Sequence, residues 1–226
     1  MQRSSRTEIL DDPTVPEEIR FRCYRELTNV HSRVGNIRAV VKCLHNDPQP
    51  VRRILDLGCG YGGVLARICH RLQISGVGLD LLPPPNPPVT ILRMDAVREI
   101  LPEADVAIAI AMTHHLTETE CIQLIRNVRR SCRRLIILDL VRHPLPAFVF
   151  RFLVAPFVHR VTAADGLLSF ARAFTFDEMR SIATQAVSGT PDLVRHTIDP
   201  LYIRQIVDIT FVRQPTFGIR TDAPEF

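Results

Sequence analysis

The sequence contains no tryptophan and only three tyrosines, too few aromatic planes for a surface that stacks on unpaired bases. It has no long lysine and arginine run. Its 28 basic residues stand against 24 acidic ones, for a net charge of +4, and they are scattered, so no nucleic-acid partner is expected. There is no CxxC pair. Cys23, Cys43, Cys59, Cys69, Cys121 and Cys132 are dispersed, and no Cys/His group has zinc-ligand spacing, so no metal is expected and reduced thiols in a cytoplasmic protein are. The opening MQRSSRTEILDD lacks the apolar core of a secretory signal. Those first twelve residues and the last few are expected to be unordered. No window reaches the roughly 18 continuous apolar residues of a spanning helix. The nearest, residues 144–161, carries Arg151 and two internal prolines.

What is present suits one globular domain. At 226 residues, 46% hydrophobic and 23% charged, the chain can bury a sizeable core. Residues 17–45 read as helical, with Ile19, Cys23, Leu27, Val30 and Val34 recurring on one face and Gly35 dividing the segment in two. HNDPQP then links this arm (1–50) to the main body (51–226), because Pro48 and Pro50 cannot continue a helix. From there short apolar runs alternate with helical ones. RRILDLG, ISGVGLD, VTILRMD, DVAIAIAM and RRLIILDL read as five buried strands, and DLVRHTIDP and RQIVDITFV as two closing ones. The helix after GYGG turns Val64, Leu65, Ile68 and Leu72 inward. Thr117 with Glu120, and Thr175 with Glu178, fit capping boxes. The expected fold class is therefore α/β: a Rossmann-like, mostly parallel seven-stranded sheet with helices on both faces.

Ligands of such sheets sit at the carboxyl ends of the strands, and Asp56, Asp80, Asp95 and Asp139 all fall there. The first strand runs into ILDLGCGYGG, where Gly58, Gly60 and Gly63 satisfy G-x-G-x-x-G, with Asp80 about 20 residues on. Asp56, Gly58, Gly60 and Gly62 also satisfy D-x-G-x-G-x-G. Charge separates the two readings. A carboxylate leading into the loop opposes a pyrophosphate and complements a sulfonium and an ammonium group. Asp80 can accept both ribose hydroxyls in either case. Asp95, followed by small Ala96, is placed to hold an adenine amino group.

With these motifs the chain resembles the class I S-adenosylmethionine-dependent methyltransferases, in the small-molecule, O-methyltransferase-like branch. ILDLGCGYGG resembles the family's first motif, GLD the acidic end of its second strand, RMDA and DVAIAIAMTHHL its adenine-contacting and fourth-strand motifs, and LIILDL its fifth strand. The match covers residues 52–140, more loosely the remainder. The resemblance implies S-adenosylmethionine as cofactor, with Asp56, Gly58, Cys59, Gly60, Gly62, Asp80, Leu81, Asp95, Ala96 and Ala111 around it. Cys59 and Tyr61 are expected to matter by backbone alone. One departure is LLPPPNPP after Asp80, whose prolines forbid the helix usual there.

Methyl transfer to a hydroxyl needs a proton acceptor beside the methyl group. His114 and His115 follow the fourth strand and are expected to be mostly neutral at pH 7, with Asp139 orienting one of them and His143 in reserve. The resemblance implies a helical lid from the N-terminal arm. The insert at residues 140–174, with Phe148, Phe150, Phe152 and Phe157, reads as an apolar pocket wall or a helix packed on the core, and residues 164–178 as a loop closing the pocket. Membrane-surface contact through Arg142, Arg151 and Arg160 is a further expectation. The expected activity is methylation of a hydroxyl on a small, largely apolar metabolite, phenolic, polyketide-like or lipidic. Its rivals are an amine or macromolecular acceptor, a nicotinamide-dependent oxidoreductase, and an inactive binding protein. The sequence leaves the oligomeric state open.

Overall fold

The computed structural model describes residues 2–200 and 202–212. Seven strands form one sheet: β1 (Arg53–Leu57), β2 (Ser75–Asp80), β3 (Ile91–Arg93), β4 (Val106–Ile110), β5 (Arg134–Leu140), β6 (Leu193–Ile198) and β7 (Arg204–Thr210). Their spatial order is β3-β2-β1-β4-β5-β7-β6. The first five are parallel; β7 runs antiparallel between β5 and β6. The order reverses where β1 pairs with β2 on one side and β4 on the other, and a crevice opens outside the strand ends there.

Strand alternation decides which side chain meets which helix layer. Leu55, Leu57, Ala107, Ala109, Leu135 and Ile137 face one way, against Leu124, Val128, Met179 and Ile182. These last lie on α4 (Glu118–Ser131) and α7 (Phe176–Ala186). Ile54, Val106, Ile108, Ile136 and Leu138 face the other way, against Ile37, Val40, Leu65 and Ile68 of α2 (Asn36–His45) and α3 (Gly63–Leu72). Asp56, two residues after Ile54, shares this second face. Both expected capping boxes form, Thr117 with Glu120 and Thr175 with Glu178.

The N-terminal arm is α1 (Glu17–Arg33) followed by α2, divided at Gly35, whose φ of 80° an L side chain adopts only with strain. Cys23 is fully buried beside Leu10 and Val161, with Ile19 and Leu27 packed around them. The proline-rich segment after β2 contains no helix, as its composition requires.

Two expectations are corrected. The first residues are not loose from position 2 onward. A short helical turn, Ile9–Asp11, buries Leu10, and the amides of Ile9 and Leu10 donate to the two carboxylate oxygens of Asp165 at 2.8 and 2.9 Å. The pull is tertiary, from a residue far along the chain, and so invisible in local composition. The expected loop at 164–178 is instead mostly helix. The insert folds as α5 (Pro144–Leu153) and α6 (Arg160–Arg172), and α7 begins at Phe176. Gly166 sits inside α6 because the Phe150 ring occupies the space a Cβ would need, not because the chain turns there. The closing residues expected to be unordered lie outside the described ones.

Candidate active site

A cavity of about 660 Å³ runs along the carboxyl ends of β1, β2, β4 and β5. One end is built by the glycine turn. The Gly60 amide donates to Asp80 Oδ2 at 2.7 Å and the Leu82 amide to Oδ1 at 2.8 Å, which fixes the Asp80 carboxylate across the turn. Gly60 has φ 54°, and a Cβ there would strike the Tyr24 ring. The turn is therefore pressed against α1. Tyr61 stacks on Tyr24 with ring centroids 4.7 Å apart, so its side chain, expected to be filler, joins turn to arm.

Of the residues assigned to the cofactor, Asp56, Gly58, Cys59, Gly60, Asp80, Leu81, Asp95, Ala96 and Ala111 line this cavity. Gly62 stands behind it as the residue before α3, where a Cβ would meet Val89. Asp56 is 2% exposed. Burial, and then the Asp80 charge, push its carboxyl up to about 8. Burial also raises Asp80, against the pull of its two backbone donors. Both carboxyls are thus raised by burial beside a cavity in which no cationic side chain among the described residues pairs with either. Asp95 is already engaged: it accepts from the Val97 amide at 2.9 Å and from Arg98 at 2.6 Å.

At the other end His114 and His115 sit on a short turn after β4, ring centroids 4.3 Å apart. His114 Nδ1 lies 2.8 Å from Asp139 Oδ1, and Asp139 Oδ2 accepts from Thr113 Oγ1 and the His114 amide. His114 Nε2 faces Glu8 Oε1 at 3.5 Å. His115 Nδ1 faces Asp11 Oδ2 at 3.1 Å, and its Nε2 faces Glu8 Oε2 at 3.7 Å. Burial disfavours a charged His114, but the Asp139 charge and hydrogen bond, then Glu8, outweigh it and push the imidazole up to about 10. The expectation of a mostly neutral His114 is therefore corrected: two carboxylates hold it as imidazolium. Both carboxylates are correspondingly held low, against their own burial.

The sequence reading missed four participants. Glu8 and Asp11 come from the segment expected to be loose. Arg3 fastens that segment by donating to the carbonyls of Arg172, His114 and Leu116 while lying 3.9 Å over the Phe174 ring. His31 on α1 lines the cavity. Its Nδ1 sits 2.8 Å from Asn36 Nδ2, and Arg204 donates to Asn36 Oδ1, so the amide donates to the imidazole and leaves the His31 proton on Nε2. Burial drives His31 down to about 4; it is a neutral donor. The spacing of Glu8 and Asp11 around Ile9 and Leu10 was the one local sign of an ordered turn.

The expected pocket wall is also corrected in part. Phe150 lines the cavity with Pro146, Val149 and Phe170. Phe148, Phe152 and Phe157 are exposed on the outer side, since helical spacing puts positions 148 and 152 together, away from 146, 149 and 150. Arg142 is buried and paired with Glu178, so it cannot serve a membrane surface. His143 caps α5 through the Leu145 amide and stacks on Tyr202, outside the cavity.

The fold that carries this cavity is shared with solved structures. The plantazolicin methyltransferase BpumL in complex with SAH superposes with a TM-score of 0.64 over 88% of this chain and 92% of its own, at 12% identity. Magnesium protoporphyrin IX methyltransferase from Synechocystis PCC 6803, also with bound SAH, gives 0.53 over 80% and 84%, at 16% identity. The mitomycin 7-O-methyltransferase MmcR gives 0.54 over 82% and 56%, at 16% identity. The chain has the class I methyltransferase fold. In sequence it is 29% identical to the indolepyruvate C-methyltransferase of Streptomyces griseus over 121 residues, 41% of this chain and 34% of that enzyme. The match thus spans about a third of the relative's length. No protein-family model matches the chain. Among the described residues no helix is long and apolar enough to cross a membrane.

Proposed function

We propose that this protein is an S-adenosylmethionine-dependent methyltransferase that methylates a hydroxyl of a small, largely apolar metabolite. The observation that carries the reading is a single cavity joining two unlike ends. At one end Asp56 and Asp80, with carboxyls raised by burial, await a cation. At the other stands a polar cluster of Glu8, His114 and His115. A sulfonium cofactor with its ammonium group answers the first end; an acceptor losing a proton answers the second. Three of the structural relatives described above are methyltransferases, two with SAH bound.

In this reading Asp80 takes the ribose hydroxyls, Asp56 complements the positive methionine end, and Leu81, Asp95 and Ala96 border the adenine. Gly58, Cys59, Gly60 and Ala111 let the cofactor approach the sheet, with Gly62 supporting the turn. The acceptor lies against Pro146, Val149, Phe150 and Phe170. Its hydroxyl gives up its proton at the cluster, oriented by Asp139 on His114 and Asp11 on His115. Because His114 already carries a proton, the acceptors there are Glu8 and His115 Nε2, while the imidazolium favours the forming oxyanion. The oxygen then bonds to the methyl carbon, and the carbon–sulfur pair returns to sulfur, leaving neutral S-adenosylhomocysteine. Closure under the arm and the N-terminal segment excludes water. A carbon acceptor is the second reading, favoured by the C-methyltransferase relative.

The exposed Phe148, Phe152, Leu153 and Phe157 beside Arg151 support a peripheral contact of α5 with a lipid surface, from which an apolar acceptor would reach the cavity behind the same helix. The decisive experiment is calorimetry with S-adenosylmethionine and NADH, followed by a co-crystal with S-adenosylhomocysteine. Binding of S-adenosylmethionine alone is expected; binding of NADH alone would overturn the reading.

A further inference from the structure

The cluster at the inner end of the cavity has more order than a proton acceptor requires. Glu8, His114 and His115 each offer one ligand atom, all within 4.8 Å of one another. The two Nε2 atoms converge on the two oxygens of one carboxylate, at 3.5 and 3.7 Å. The first lies at the outer limit of a hydrogen bond and the second beyond it, and both suit groups arranged around a shared centre. Each candidate ligand is also held from behind. His114 Nδ1 is on Asp139 at 2.8 Å, His115 Nδ1 on Asp11 at 3.1 Å, and Glu8 Oε1 accepts from Ser169 at 2.8 Å. A carboxylate behind each imidazole fixes the ring so that Nε2 presents its lone pair and strengthens it as a donor, which is how metal-ligating histidines are supported.

We propose that Glu8, His114 and His115 form a binding site for one divalent first-row transition metal ion. Two imidazoles and one carboxylate on one side of an ion are a donor set that iron(II), manganese(II) and zinc(II) accept. The remaining positions face the cavity, since all three residues line it. The ion takes the place of the proton that Asp139 and Glu8 otherwise hold on His114. Its role rests on the methyltransferase reading: with Glu8 and both Nε2 atoms on the ion, an acceptor hydroxyl entering an open position would be made acidic enough to lose its proton to water, in place of transfer to Glu8 or His115, and would be fixed toward the methyl donor. Its binding does not rest on that reading. The site also gives the N-terminal segment a function, because Glu8 is the one ligand not supplied by the sheet edge.

The test uses the full chain without an affinity tag, stripped with a chelator and reloaded with zinc(II), manganese(II) or, without oxygen, iron(II). Elemental analysis after gel filtration is expected to find about one ion per chain for at least one of them. Cobalt(II) should give a visible absorption band. Glu8→Gln and His115→Ala should each lower the affinity at least about tenfold, since even loss of a group supporting a metal ligand costs that much, with thermal melting confirming that the variants fold. Binding well below one ion per chain for every metal, or affinity unchanged in both variants, would overturn the proposal. Calorimetry of S-adenosylmethionine on stripped wild-type protein separates the two readings. Cofactor binding without metal binding would sink the ion alone; metal binding without cofactor binding would sink the methyltransferase.

Discussion

At the scale of single residues, Asp56 is the most informative side chain. Its position before the glycines was legible because a short acid among Ile54, Leu55 and Leu57 interrupts an otherwise apolar strand. That it would be almost wholly buried and raised to about 8 was not legible, since burial depends on helices packed over it. The sign of its linkage follows. The folded value lies above the ordinary one, so the stability it contributes is complete below about pH 3.9 and is lost as pH climbs through about 8. Asp56→Asn should therefore flatten the fall in Tm of the cofactor-free protein between pH 6 and 9. A Tm at pH 9 above wild type by about 2–4 °C corresponds to about 1 kcal/mol. The same variant should bind S-adenosylmethionine at least about tenfold more weakly, a cost of about 1.4 kcal/mol. In the wild type, binding near pH 7 should release protons, seen as a calorimetric heat that changes with buffer ionisation enthalpy. A Tm slope unchanged by the variant would show that Asp56 does not titrate there.

At the scale of elements, capped helices and strands were readable and the insert was not. Thr117, Glu120, Thr175 and Glu178 announce their helices through side chains that bond within three residues. Helix α6 announces nothing. It begins after a His159 cap and carries Gly166 for the sake of Phe150, a contact outside its own sequence. The N-terminal segment depends on α6 in turn. Asp165→Asn removes the charge that receives two backbone amides, and hydrogen bonds to charged groups contribute about 1.5–3 kcal/mol. Amide exchange at Ile9 and Leu10 should accelerate by about tenfold or more, with β4 and β5 unchanged. The outer face of α5 carries its own expectation. Phe148→Ser with Phe152→Ser should reduce co-sedimentation with phosphatidylglycerol vesicles several-fold and leave the melting temperature within a few degrees, because neither ring is buried. Equal recovery of wild type and variant would remove the lipid surface from the proposal.

At the scale of the whole molecule, the order of apolar runs and helices led to the right sheet, since strands covered on both faces must be apolar throughout. The antiparallel entry of β7 between β5 and β6 is set by pairing with Leu135, Ile137 and their neighbours, which no local pattern encodes. Central and edge strands should also differ in opening free energy. Amides of β1, β4 and β5, fully buried along most of their length, should exchange last. Those of β3 and β6, at the two edges and largely exposed, should exchange first, by mass spectrometry on peptic fragments. A reversed ranking would contradict the strand order.

The tether between Glu8–Leu10 and Asp165–Ser169 links positions 155 to 161 apart in the chain. Folding must therefore bring two distant stretches together before the N-terminal segment finds its seat. Until they meet, the cleft they border lacks its latch and stands open to solvent.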